Sequence, residues 1–108
     1  MTKQIDVKII KTLALASKYP SIKRVGVFGS YARGEIKSDS DIDLLYDYDD
    51  TLEQSTDDIL GFIEEINDKL LRLTQAPKVD YVWYKGVIES DDTEFRNAVL
   101  HDVAWLYG

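Results

Sequence analysis

No cysteine occurs among the 108 residues, so disulfide frameworks, thiol nucleophiles and thiolate metal sites are all excluded. That absence fits a reducing compartment, and a cytoplasmic protein is the expectation. The single histidine, His101, leaves too few members for a histidine metal cluster or a Ser-His-Asp triad, and it reads as a surface or loop residue. No apolar run approaches the ~20 residues of a membrane span, and the first residues lack the apolar core of a signal peptide. Proline is confined to Pro20 and Pro77, and no repeat, linker or low-complexity tract is present. Positive charge is also scarce: 13 Lys and Arg stand against 20 Asp and Glu, a formal charge of −7. A general basic surface for nucleic acid is thereby disfavoured, and any phosphate must be held locally.

Hydrophobic residues make up 44% of the chain, enough for one domain over residues 1–108 with a modest core. Ile5, Ile9, Leu13 and Ala16, widened by Ile10 and Ala14, give Lys3 to Lys18 the stripe of an amphipathic helix, stopped at Tyr19-Pro20-Ser21. Strands are expected at Arg24–Phe28, Asp41–Tyr46 and Val79–Trp83. Asp47-Tyr48-Asp49-Asp50 reads as a solvated charge run leaving the sheet. Ser55-x-x-Asp58 has the form of a capping box before Ile59, Phe62, Ile63, Ile66, Leu70 and Leu73, a second long helix that ends before Ala76-Pro77. Asp91 to Leu100 reads as a short helix with Asp91 as N-cap and Glu94 completing the box. The ending His101–Gly108 allows two readings, a prolonged helix through Val99, Val103 and Leu106 or an edge strand over Val103–Tyr107. Trp83, Tyr84, Trp105 and Tyr107 are read as core or interface aromatics. The fold class expected is α/β (α+β), a small mixed sheet flanked by helices.

The stretch Val25 to Tyr46, VGVFGSYARGEIKSDSDIDLLY, organises the rest. An apolar run ends at a turn-like Gly29-Ser30, and a charged loop leads to Asp41-Ile42-Asp43-Leu44-Leu45. In a strand, residues two apart share a face, so Asp41 and Asp43 would project together with Cα atoms roughly 6.6 Å apart, and Ile42 and Leu44 would face the core. Side-by-side carboxylates repel unless a cation is held between them. A hard divalent ion suits their oxygens.

Gly29-Ser30, then ten residues, then Asp41-x-Asp43, set between two strand-like runs, resembles the signature of the nucleotidyltransferase superfamily. The fuller text GSYARGEIKSDSDIDLL is similar to its minimal nucleotidyltransferase branch. The helix before the motif, the Val79–Trp83 strand and the Phe95–Tyr107 ending also look like the family. The resemblance implies that Gly29 and Ser30 contact the β- and γ-phosphates, Gly29 by a tight turn and close backbone approach, Ser30 by its hydroxyl and N–H. It implies further that Asp41 and Asp43 bridge two Mg2+ ions, with a third acidic residue coming from a neighbouring strand. Asp80 fits that place, because a charge alone among apolar residues in a strand is costly unless used or paired. Arg33 could reach a phosphate oxygen with a charge-assisted bond, or simply pair with Glu35 or Asp39. Many relatives carry a basic residue where this chain has Tyr31, so that contact is missing or replaced by stacking.

By this resemblance the protein is an Mg-dependent nucleotidyltransferase with ATP as substrate. The minimal branch resembles antitoxins of HEPN-family RNase toxins, which implies AMP transfer to a tyrosine of such a toxin; an acidic surface would suit a basic RNA-cleaving partner. Two other readings stand beside it. One is a non-catalytic antitoxin that neutralises its partner by contact; the other is a transferase acting on an antibiotic-type small molecule, for which a homo-oligomer could complete the pocket. Direct nucleic-acid or membrane binding is not expected.

Overall fold

The structure, a computed structural model, describes residues 5–108. The first helix, α1, spans Val7–Leu13 and tightens into a 3-10 segment over Ala14–Lys18. It is shorter than the expected Lys3–Lys18, and Lys3 lies outside the described residues. The Asp6 carboxylate sets its start by accepting the Lys8 N–H at 2.8 Å. Pro20 sets its end by holding Tyr19 extended. Ile9, Leu13 and Ala16 are buried as their spacing requires, whereas Ala14 faces solvent. Thr12 takes an inward position instead, its hydroxyl donating to the Lys8 carbonyl at 2.8 Å.

β1 (Ile22–Phe28) and β2 (Ile42–Tyr48) pair antiparallel. Asp47 and Tyr48, expected outside the sheet, belong to β2. Their side chains explain why: Asp47 accepts from Arg24 at 3.1 Å, and the Tyr48 ring packs on Tyr46 and on Trp83. Only Asp49 and Asp50 leave the ladder. The long helix α3 (Ser55–Thr74) crosses over to β3 (Val79–Trp83), which lies parallel to β2. α3 buries Ile59, Phe62, Ile66 and Leu70, but Leu73 near its end is exposed. Its expected capping box is not formed. Gln54 is the N-cap, and the Asp58 carboxylate accepts the Ser21 backbone N–H at 3.0 Å, tying α3 to the start of β1.

A five-residue helix, α4 (Tyr84–Ile88), follows β3. Nothing local announces it, since Gly86 and two β-branched residues are poor helix formers. Burial of Val87 at 2% exposure supports it instead. α5 spans Thr93–Asp102, capped by Asp92, which accepts the Phe95 N–H at 3.0 Å, rather than by Asp91. The chain then turns into the edge strand β4 (Ala104–Tyr107), which pairs antiparallel with β1. The helical alternative for this ending is thereby corrected beyond Asp102.

The mixed sheet has the order β3-β2-β1-β4, with helices on both faces. On one face Val25, Val27, Ile42 and Leu44 meet α1 and α3 around Leu13, Phe62, Ile66 and Leu70. On the other, Phe28 and Leu45 meet Val87 and Val99 from α4 and α5. Leu45 is thus also a core residue, of the smaller cluster. Arg24 lies beneath that cluster, its guanidinium 4.6 Å from the Tyr84 ring centre and 3.9 Å from that of Trp105.

Gly26 in the central strand sits so close to β4 that an added Cβ would lie 2.6 Å from the Ala104 carbonyl oxygen and 3.1 Å from Val103 Cγ2. Gly26→Ala should therefore push β4 off β1 and cost about 1–3 kcal/mol, read as a lower Tm in thermal unfolding. An unchanged Tm would mean that the β1–β4 contact is looser than this spacing implies.

Candidate active site

Gly29 and Ser30 do not form a simple turn. They open α2 (Gly29–Arg33), a short helix that ends at Gly34 in the left-handed conformation. Arg33, expected in a loop, is therefore the last residue of that helix. Tyr31, on its inner side, is buried in the larger core. It is a packing residue, and the stacking role considered for it is not available. Ser30 and Arg33 instead line an open cleft of about 450 Å3 with Glu35, Lys37, Asp39, Ser40, Asp41 and Asp43.

Asp41 lies one residue before β2 rather than inside it, and Asp43 is the second residue of that strand. Parallel pairing of β2 with β3 sets Asp43 directly opposite Asp80. Gly29 approaches the same carboxylate from the other neighbour. Its φ is +68°, and a Cβ there would stand 2.5 Å from Asp43 Oδ2. Both facts demand glycine. Three sequence-distant segments thus converge on Asp43.

That convergence is electrostatically costly. Burial, then the charges of Asp80 and Asp41, push the Asp43 carboxyl above its ordinary 3.8, and only Arg33 pulls the other way. A divalent cation is the group such a set implies, and two observations fit it. Carboxylate oxygens are the donors hard cations take, and the missing side chain of Gly29 keeps the space beside Asp43 Oδ2 open. The set is not closed around an ion: among the described residues no three acidic or histidine side chains are grouped so as to hold one. Lys78 Nζ stands 3.5 Å from Asp80 Oδ1 and 3.9 Å from Asp41 Oδ2.

Arg33 is already engaged. Its Nε donates to Glu35 at 3.0 Å and its Nη1 to Asp102 at 2.6 Å. Burial would raise the Asp102 carboxyl, but the hydrogen bonds from His101 and Arg33 outweigh it and hold the group below its ordinary range. Sequence reasoning missed Asp102, which is 69 residues from Arg33 and has no local signature. It also missed Lys37, Ser40 and Lys78, although Lys37 and Ser40 lie in the motif's own loop, joined by a 2.8 Å bond from the Lys37 N–H to the Ser40 hydroxyl. A separate hollow of about 200 Å3 beside Tyr31, lined by Ile5, Ile9, Ile36 and Leu73 among others, has Asp6 as its one charged lining residue among the described residues. It holds no comparable chemistry.

A family model described as a nucleotidyltransferase domain matches residues 8–100. The protein adenylyltransferase MntA of Thermococcus cleftensis is 46% identical over 87 residues, which cover 79% of this chain and 75% of that protein. Two solved structures share the architecture. A toxin-antitoxin crystallised with AMP-PNP has a TM-score of 0.58 at 28% identity, covering 94% of this chain and 72% of that one. A mutant of the toxin-antitoxin MntA-HpeT has a TM-score of 0.57 at 25% identity, covering 97% and 74%.

The raised pKa of Asp43 has a consequence for stability. Ionising this carboxyl costs more in the fold than in the unfolded chain. The contribution of Asp43 to stability should therefore be most favourable below about 3.8, be lost as pH rises through the raised folded value, and stay lost at neutral pH. With chelator present, Asp43→Asn should melt above the wild type at pH 7, and the gap should close as pH is lowered towards 4. A pH-independent gap would assign the effect to something other than Asp43 ionisation.

Proposed function

The chain belongs to the nucleotidyltransferase domain family, and on that premise we propose that it transfers AMP from ATP to a tyrosine of a HEPN-family toxin, silencing it as its antitoxin. The observation that carries this reading is the meeting of α2, the start of β2 and β3 at one carboxylate, with Ser30 and Arg33 on the same cleft. The adenylyltransferase relative and the AMP-PNP-bound toxin-antitoxin structure support the nucleotide, the group moved and the kind of partner.

In the reaction, the acceptor oxygen bonds to the α-phosphorus, the bond from that phosphorus to the bridging oxygen breaks, and pyrophosphate leaves. Asp41 and Asp43, with Asp80, would hold Mg2+ as a pair of ions. The chemistry supplied there is neutralisation of phosphate charge and polarisation of the acceptor oxygen. The Ser30 hydroxyl would donate to a phosphate oxygen, and the Arg33 guanidinium would offer the charge that an acidic protein otherwise lacks. Asp80 has 42% of its side chain exposed, so an incoming hydroxyl can reach it, and it would take the acceptor's proton. In this reading the tyrosine is supplied by the partner and brought to the open side of the cleft.

The test combines the protein, α-labelled ATP, Mg and the partner toxin, with Asp41→Asn/Asp43→Asn as control. Label should appear on the toxin, fall more than ~100-fold in the double variant, and vanish with chelator, since even outer-shell changes at metal sites cost 10–100-fold. Protection without label in both proteins would favour neutralisation by contact, and label on a small molecule the antibiotic-type reading. Millimolar Mg with ATP should also raise the wild-type Tm through binding to the native state. No shift would count against a working site.

A further inference from the structure

We propose that Asp102 is a positioning residue, holding Arg33 so that its guanidinium borders the nucleotide cleft. This inference rests on the nucleotidyl-transfer reading and extends it to a residue from the far end of the chain. Arg33 projects from the last turn of α2, next to the cleft that Ser30, Asp41 and Asp43 also line. Two carboxylates reach it, and they are unlike. Glu35 is 61% exposed and only two residues away, so the pair it makes is a solvated surface contact of little worth. Asp102 is 14% exposed and accepts from Nη1 at 2.6 Å, the geometry of a short charge-assisted bond.

The place of Asp102 is fixed from both sides. It is the final residue of α5, whose Val99 is locked in the smaller core, and one residue later the chain enters β4 against the central strand. It therefore offers a rigid anchor, whereas a guanidinium on a free side chain would be drawn towards Asp39, Asp41 and Asp43 in the same cleft. The guanidinium has more N–H donors than its contacts to Glu35 and Asp102 use. Those that remain are available to phosphate oxygens.

A positioning role differs from a structural clamp between α2 and α5 in what it moves. MgATP binding to the full chain, measured by calorimetry, should weaken about tenfold in Asp102→Asn while Tm shifts by only a few degrees. Asp102→Glu, which keeps the charge, should restore most of the loss. In an Arg33→Ala background Asp102→Asn should cost nothing further, because its effect passes through Arg33. Unchanged binding in Asp102→Asn, or a loss that adds fully to that of Arg33→Ala, overturns the proposal. If Asp102→Asn does not fold, the same cycle is run with Asp102→Ala and Arg33→Ala, and additive losses overturn the proposal in the same way. A wild-type protein that binds no MgATP overturns the nucleotidyl-transfer reading and this role together; wild-type binding with an indifferent Asp102→Asn overturns this role alone.

Discussion

Asp43 and Asp80 face one another across a parallel strand pair, with Asp41 close by and burial raising the cost of the Asp43 charge. Left to itself, that charge opposes folding. The rest of the molecule holds them in place against that repulsion. Apolar cores on both faces of the sheet fix β2 between β1 and β3, so the strand cannot shift register to separate the charges without exposing Ile42, Leu44 and Leu45 together. The strain sits at a cleft edge, where a bound cation would relieve it.

The motif helix α2 carries two duties on opposite sides. Tyr31 anchors it in the larger core, while Ser30 and Arg33 turn to the cleft. Gly29 at its start and Gly34 at its end both adopt positive φ, so the helix is confined to little more than one turn. The ion pair with Asp102 then couples this short element to the end of α5.

The net charge of −7 and the local placement of cations belong together. On an acidic protein, positive charge that faces an anion must be gathered at one place. Arg33 and Lys37 line the cleft, and Lys78 stands beside Asp41 and Asp80. Another cation, Arg24, is spent on structure, between two aromatic rings and Asp47. The aromatic residues near the sheet are accounted for by such packing and by mutual stacking.

The helical and strand periods, the mixed α/β class, and the shared destination of Gly29, Ser30, Asp41 and Asp43 were legible from sequence, because all of these depend on residues near one another along the chain. Spacing of Ile59, Phe62, Ile66 and Leu70 marked the α3 stripe, and alternation marked Ile42 and Leu44 as core. It misplaced the caps at Ser55 and Asp91, since Asp58 was taken by the Ser21 backbone and Asp92 lay one step nearer the turn. It also read α2 as a turn and loop and gave no sign of α4, because short helices of low propensity form only where tertiary burial rewards them. Three features came from long-range packing instead: the register that sets Asp80 against Asp43, the choice of strand over helix for Ala104–Tyr107, and the meeting of Arg33 with Asp102. Each joins residues far apart in the chain, and no local preference encodes a contact whose free energy appears only when distant segments have already packed.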